Sequence, residues 1–108
     1  MNQNLAQYLR SKRIDTFQKL NFLLFLHQYP HLKGTSEEFA ARLYFGDIVM
    51  LKKIIFDLQF AGLVQRVGNR YMLRNDPLTK SYMNILAGTF KDPITRQELL
   101  NHVQEQVQ

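Results

Sequence analysis

TSEEFAARLYFGDIVMLKKIIFDLQFAGLVQRVGNRYMLR, residues 35–74, decides the fold of this 108-residue chain. Thr35 and Glu38 spell a T-x-x-E capping box. The threonine oxygen accepts a first-turn N–H, and the glutamate reaches back to the cap amide. Phe39, Ala40, Leu43 and Tyr44 then supply the inward face of a short helix. Gly46-Asp47 makes a tight turn, with Asp47 placed to cap a second helix over Ile48–Ala61. In that helix Leu51, Ile54, Ile55 and Leu58 recur at i, i+3, i+4 and i+7, the spacing of a core-facing stripe. Gly62 stops it, as a left-handed cap position asks. Two apolar-polar runs, Leu63–Val67 and Arg70–Arg74, flank Gly68-Asn69, a hairpin signal. Pairing across that turn sets Val64 opposite Leu73 and Arg66 opposite Tyr71. Val64, Tyr71 and Leu73 then cover the core, while Gln65, Val67, Arg70 and Met72 point away.

The flanks read as further helices around this unit. Leu5, Tyr8, Leu9 and Lys12 have helical spacing, giving an N-terminal helix over 3–12. Thr16–Tyr29 is apolar on two stripes: Phe17, Leu20, Leu24 and His27 on one, Phe22, Phe25, Leu26 and Tyr29 on the other. Such a helix is buried on two sides, and Pro30 ends it. Lys33-Gly34 is a short connector. Asn75-Asp76-Pro77 opens a helix with Leu78, Tyr82, Ile85, Leu86 and Phe90 as its stripe, and Asp92-Pro93 breaks it. A second capping box, Thr95 and Glu98, then leads into a last helix bearing Leu99, Leu100, Val103 and Val107. The expected class is mainly α. One domain spans 1–108, with a core of about 16–74, the helix 3–12 before it and C-terminal helices over about 77–107.

Composition narrows the function classes. Apolar residues make up 45% of the chain, which favours a folded globule. The chain has no cysteine, so disulfides and thiolate metal sites are excluded, and a cytoplasmic location is expected. The longest apolar run, Phe22–Leu26, is far short of the ~20 residues that cross a bilayer, so no membrane partner is expected. The N-terminus is polar and then basic, without the apolar core of a signal peptide. The net charge of +5 is concentrated in the first two thirds: residues 75–108 hold three bases and four acids. A polyanion is one partner that such a balance fits; solubility alone also explains it.

Catalytic chemistry finds no foothold. No glycine-rich phosphate loop is present, and the five glycines each punctuate a turn or a helix end. Asp47 and Asp57 lie nearly three helical turns apart. His27 and His31 are separated by Pro30 and share no helical face, so no metal or other cofactor is expected. His102 is alone on the last helix and reads as surface.

Helix, turn, helix ending in Ala61-Gly62-Leu63-Val64, then a return strand Arg70-Tyr71-Met72-Leu73: this resembles the winged helix-turn-helix superfamily of bacterial transcription regulators. The resemblance covers roughly Thr16 to Arg74. It implies a three-helix core with a β-hairpin wing, here extended by N- and C-terminal helices through which a homodimer would form. It also implies a docking mode on double-stranded DNA. The helix 48–61 would enter the major groove with Val49, Met50, Lys52 and Lys53. The helix N-terminus at Ser36 would face a phosphate, with Arg42 on the same helix. Arg66, Asn69 and Arg70 of the wing would meet the backbone or minor groove.

The residues themselves leave a second reading open. Outside its buried stripe, the helix 48–61 offers Val49, Met50, Phe56 and Phe60 and only one lysine pair, with Asp57 set to repel phosphate. Base edges are read by hydrogen-bonding side chains, whereas an exposed apolar patch marks a protein contact. The alternative is a winged-helix protein–protein interaction module that grips its partner through Val49, Met50, Phe56 and Phe60.

Overall fold

The computed structural model describes residues 2–105, with side chains through residue 104. Helices α1 (Gln3–Ser11), α2 (Phe17–Gln28), α3 (Ser36–Leu43) and α4 (Ile48–Phe60) precede a hairpin of β1 (Val64–Val67) and β2 (Arg70–Leu73); α5 (Pro77–Lys91) and α6 (Pro93–Glu105) follow. The molecule is a helical domain with one small antiparallel sheet. The hairpin register is the one the Gly-Asn turn dictates, with Val64 opposite Leu73 and Arg66 opposite Tyr71.

Caps place the helix starts. Thr35 and Glu38 form the reciprocal box at α3, and Asp47 Oδ1 accepts the Met50 N–H at 3.0 Å to start α4. Three helix ends share one device. The amide that follows a left-handed residue bonds back five residues: Ile14 to Leu9, Phe45 to Ala40, Leu63 to Leu58. Each such end needs a left-handed residue, and these are Arg13, Tyr44 and Gly62, with φ of 56°, 53° and 82°. In two of the three cases the chain does not use glycine. Between α3 and α4 the left-handed residue is Tyr44, two positions before Gly46-Asp47.

The core forms where all these helices meet: Leu5 and Leu9 from α1, Leu20, Leu23 and Leu26 from α2, Phe39 from α3, the α4 stripe, Leu86 from α5 and Leu99 and Val103 from α6. The Phe39 ring stands edge-on to Phe22, centroids 5.4 Å apart. Tyr8 and Tyr82 stack at 3.9 Å and tie α1 to α5. Gly34 is more than a connector. It exchanges both backbone hydrogen bonds with Tyr71, at 3.0 and 2.8 Å, so the chain before α3 lies against the hairpin as a one-residue third strand. A Cβ at Gly34 would meet the Phe39 ring at 3.0 Å, so a side chain there would require the ring to shift by a few tenths of an ångström.

Several expectations change. Each strand is one residue shorter, without Leu63 or Arg74. Met72 is buried although it points away from the core side of the hairpin, whereas Phe17 is exposed. The box at Thr95 and Glu98 does not form. Helix α6 starts at Pro93, three residues before the start a Thr95 cap would give; Asp92 Oδ1 accepts the Ile94 N–H and the Thr95 hydroxyl instead donates to the Thr89 carbonyl at 2.7 Å. Pro93 can open a helix because it has no N–H to leave unsatisfied. His102 is not a surface residue: it is half-buried, and its Nε2 is enclosed without a hydrogen-bond partner. Val107 lies outside the described residues.

Candidate functional site

An α-helix turns about 100° per residue, so the four buried residues of α4 define a single inward direction. Val49, Lys53, Phe56 and Phe60, at i, i+4, i+7 and i+11, lie diametrically opposite it. The three apolar members are 75, 66 and 84% exposed. Met50 is also partly exposed and flanks the stripe on the side of Asp57, while Lys52 and Gln59 lie on the other flank. Helix α4 is thus apolar on two opposed faces, and only one is covered.

The cations expected to meet phosphate are mostly engaged within the chain. Lys52 pairs with Glu37 at 3.4 Å, and Arg70 reaches both carboxylate oxygens of Glu38 at 3.4 Å. Arg66 Nε donates to the Gly68 carbonyl at 2.7 Å, folding the side chain onto its own turn. The Arg42 guanidinium lies 5.2 Å over the Tyr29 ring. Ser36 is buried. Asn69 and Lys53 stay exposed, and among the described residues Lys53 shows no ion-pair partner.

The N-terminus of α3, where a phosphate would approach, holds Glu37 and Glu38. The Glu37 carboxyl is held below its ordinary range by its own backbone N–H and then by Lys52. That of Glu38 is held down by the Thr35 backbone N–H, with Arg70 adding to it. Both therefore stay anionic at neutral pH, and Asp47 adds a third carboxylate at the start of α4.

A groove of about 670 Å³ runs between the α1–α2 turn and the C-terminal half of α4. Its floor is an ion cluster around Lys19, whose Nζ lies 3.0 Å from Asp15 Oδ1, 3.3 Å from Asp57 Oδ2 and 3.0 Å from the Arg13 carbonyl. Lys12 Nζ donates to the Ala61 carbonyl at 3.0 Å and so closes the end of α4. Phe56 and Phe60 form the outer lip. Asp57 is therefore not a free repeller of phosphate: its carboxylate neutralises a buried lysine. Sequence reasoning missed this cluster, although Asp15 and Lys19 at i and i+4 carried a signal for part of it.

Elsewhere, His27 and His31 both line a recess of about 180 Å³ with Arg74 and Lys80. No group of three His, Cys, Asp or Glu side chains able to hold a metal occurs among the described residues. The terminal helices turn their main apolar residues inward, leaving Leu78, Ile85 and Ile94 as the large exposed ones on α5 and α6. Among the described residues no helix is long and apolar enough to cross a membrane. Set against known protein families, curated proteins and solved structures, the chain matches none.

Proposed function

We propose that the chain is a non-enzymatic winged helix-turn-helix domain that acts as a protein-interaction module, with the outer face of α4 as its docking surface. The order of elements α2, Gly34 bridge, α3, α4, hairpin supports the winged-helix assignment. The stripe Val49–Phe56–Phe60 carries the functional half. Scattered apolar residues on a surface need no explanation, but an apolar line along one helix gains free energy only when covered. An apolar helix face laid against a groove or a second helix is a common recognition mode. Two aromatic rings fit the anchor role, because they supply much contact area for little side-chain entropy.

A photoreactive benzophenone amino acid at position 60 tests this in cells. It should give a discrete protein adduct, and the same group at position 69 on the hairpin tip should not. Absence of any adduct from position 60 would remove the reading.

DNA binding is the second reading, favoured by the exposure of Lys53 and Asn69 and by the weakness of exposed ion pairs, which phosphates can displace. It would make the chain a bacterial transcription regulator binding mainly through phosphate charge. Lys52→Glu with Lys53→Glu should then abolish binding, and log affinity should fall steeply with log salt. Lack of any mobility shift at low salt excludes it.

A further inference from the structure

We infer that the partner covering the outer face of α4 is a second copy of this chain, packed with its α4 antiparallel to the first. This rests on the reading of that face as a docking surface, and it follows from how the face complements itself. A two-fold axis between Ile54 and Ile55, perpendicular to both helices, sets Val49 against the partner's Phe60 and Lys53 against the partner's Phe56. Both contacts put an apolar body or an alkyl stem on an aromatic ring.

Such an axis also brings like flanks together. Lys53 and Asp57 lie on the same flank, and the register leaves Lys53 about 1.5 Å along the axis from the partner's Asp57. The exposed lysine without an intrachain partner and a one-third exposed carboxylate thus meet twice, once on each side of the axis. Met50 lies on this flank too. In the same register it enters the partner's groove between Phe60, Asp57 and the α1–α2 turn, whose about 670 Å³ accommodates a methionine side chain.

The antiparallel helix dipoles add a favourable contribution. Val49, Met50, Phe56 and Phe60 leave roughly 400–500 Å² of apolar surface uncovered on each copy. Two copies reach roughly 1,000 Å² with the polar rim, the lower bound for a specific interface. A weak, concentration-dependent dimer is therefore expected.

Light scattering on the full chain at high micromolar concentration should report a mass rising from 12.8 kDa toward twice that value. Lys53→Glu leaves two like charges facing each other at position 53, as the lysines do, and turns both contacts with the partner's Asp57 from attractive to repulsive, so it should weaken association at least about tenfold. The chain has no cysteine, so single cysteines report the geometry cleanly. Oxidised Lys53→Cys should give a covalent dimer. Val49→Cys alone should not, but Val49→Cys mixed with Phe60→Cys should. A mass that stays at 12.8 kDa overturns the dimer, as does Val49→Cys crosslinking as readily as Lys53→Cys. The underlying reading fails separately: a position-60 adduct of some other mass leaves the docking surface standing and removes only the second copy.

Discussion

Replacing Lys19 with methionine should be among the most costly single changes of a charged residue in this molecule. The lysine side chain is 9% exposed, and its ammonium group bonds to two carboxylates, Asp15 and Asp57, that are 37 and 33% exposed. Methionine preserves most of the aliphatic stem, so the packing of Lys19 is largely kept and the charge is lost. At 3.0 and 3.3 Å the two ion pairs each carry a gross attraction of roughly 5 kcal/mol at an effective dielectric near 20, most of it offset by desolvation.

The net cost comes from what is left behind. Removing one partner of a fully buried pair costs about 3–5 kcal/mol. Here water can partly reach both abandoned carboxylates, so about 2–3 kcal/mol is expected. For a domain of this size that lowers Tm by roughly 10–20 °C. Urea unfolding followed by circular dichroism measures it, with Lys33→Met, at an exposed position, as the control that should change little. Adding Asp57→Asn to Lys19→Met should recover part of the loss, because the uncompensated charge is then gone. A cost below about 0.5 kcal/mol for Lys19→Met, or no recovery in the double variant, would refute the cluster as a structural element.

The left-handed Tyr44 gives a prediction of opposite sign. It is 96% exposed at φ 53°, so Tyr44→Gly removes backbone strain without removing packing and should stabilise by about 0.5–1 kcal/mol; equal or lower stability rejects this. Thr35→Ala should cost about 1 kcal/mol in urea unfolding by opening the α3 cap. The Tyr8 hydroxyl is pushed up to about 12, first by burial. Its folded value lies above its unfolded value near 10, so its contribution is intact below pH ~10 and is lost as pH rises toward 12. Ultraviolet titration should show this late ionisation disappear in Tyr8→Phe. The carboxyls of Glu37, Glu38 and Asp76 are all shifted down, so stability should fall as pH drops below ~4.5, and Glu38→Gln should reduce that acid dependence.

How far the sequence revealed this molecule depends on the range of each interaction. The α3 box, the Asp47 cap, the Gly62 stop and the hairpin register act over two to five residues, and each appears where its local signal stands. The same local grammar misread Thr95 and Glu98, because Asp92-Pro93 nearby offered a competing start three residues earlier. It did not announce the left-handed residue before α4. Glycine usually occupies that position, but its place is set by where the last helical hydrogen bond closes, and here that is Tyr44. Long-range contacts left little trace. The Gly34 bridge to Tyr71 and the pairing of Lys19 with Asp57 join residues 37 and 38 positions apart, and nothing in the local spacing announces them.

The site was legible as an unpaired face but not as a charge pattern. The spacing of α4 already put Val49, Phe56 and Phe60 opposite the core stripe, and their exposure agrees with that placement. What spacing does not convey is which charges remain available beside the face. Lys52 and Arg70 count as positive in any tally, yet each sits 3.4 Å from a carboxylate at the N-terminus of α3. Asp57 counts as negative, yet it neutralises Lys19. Most charges around α4 are therefore already paired within the chain, and the apolar line is the most distinct chemical feature of its surface. That order of importance, apolar contact first and charge as alignment, favours a protein partner over a phosphate backbone. On the proposed reading Lys53 should matter more than Lys52: standing in the apolar line itself, it can fix the register of whatever covers that line.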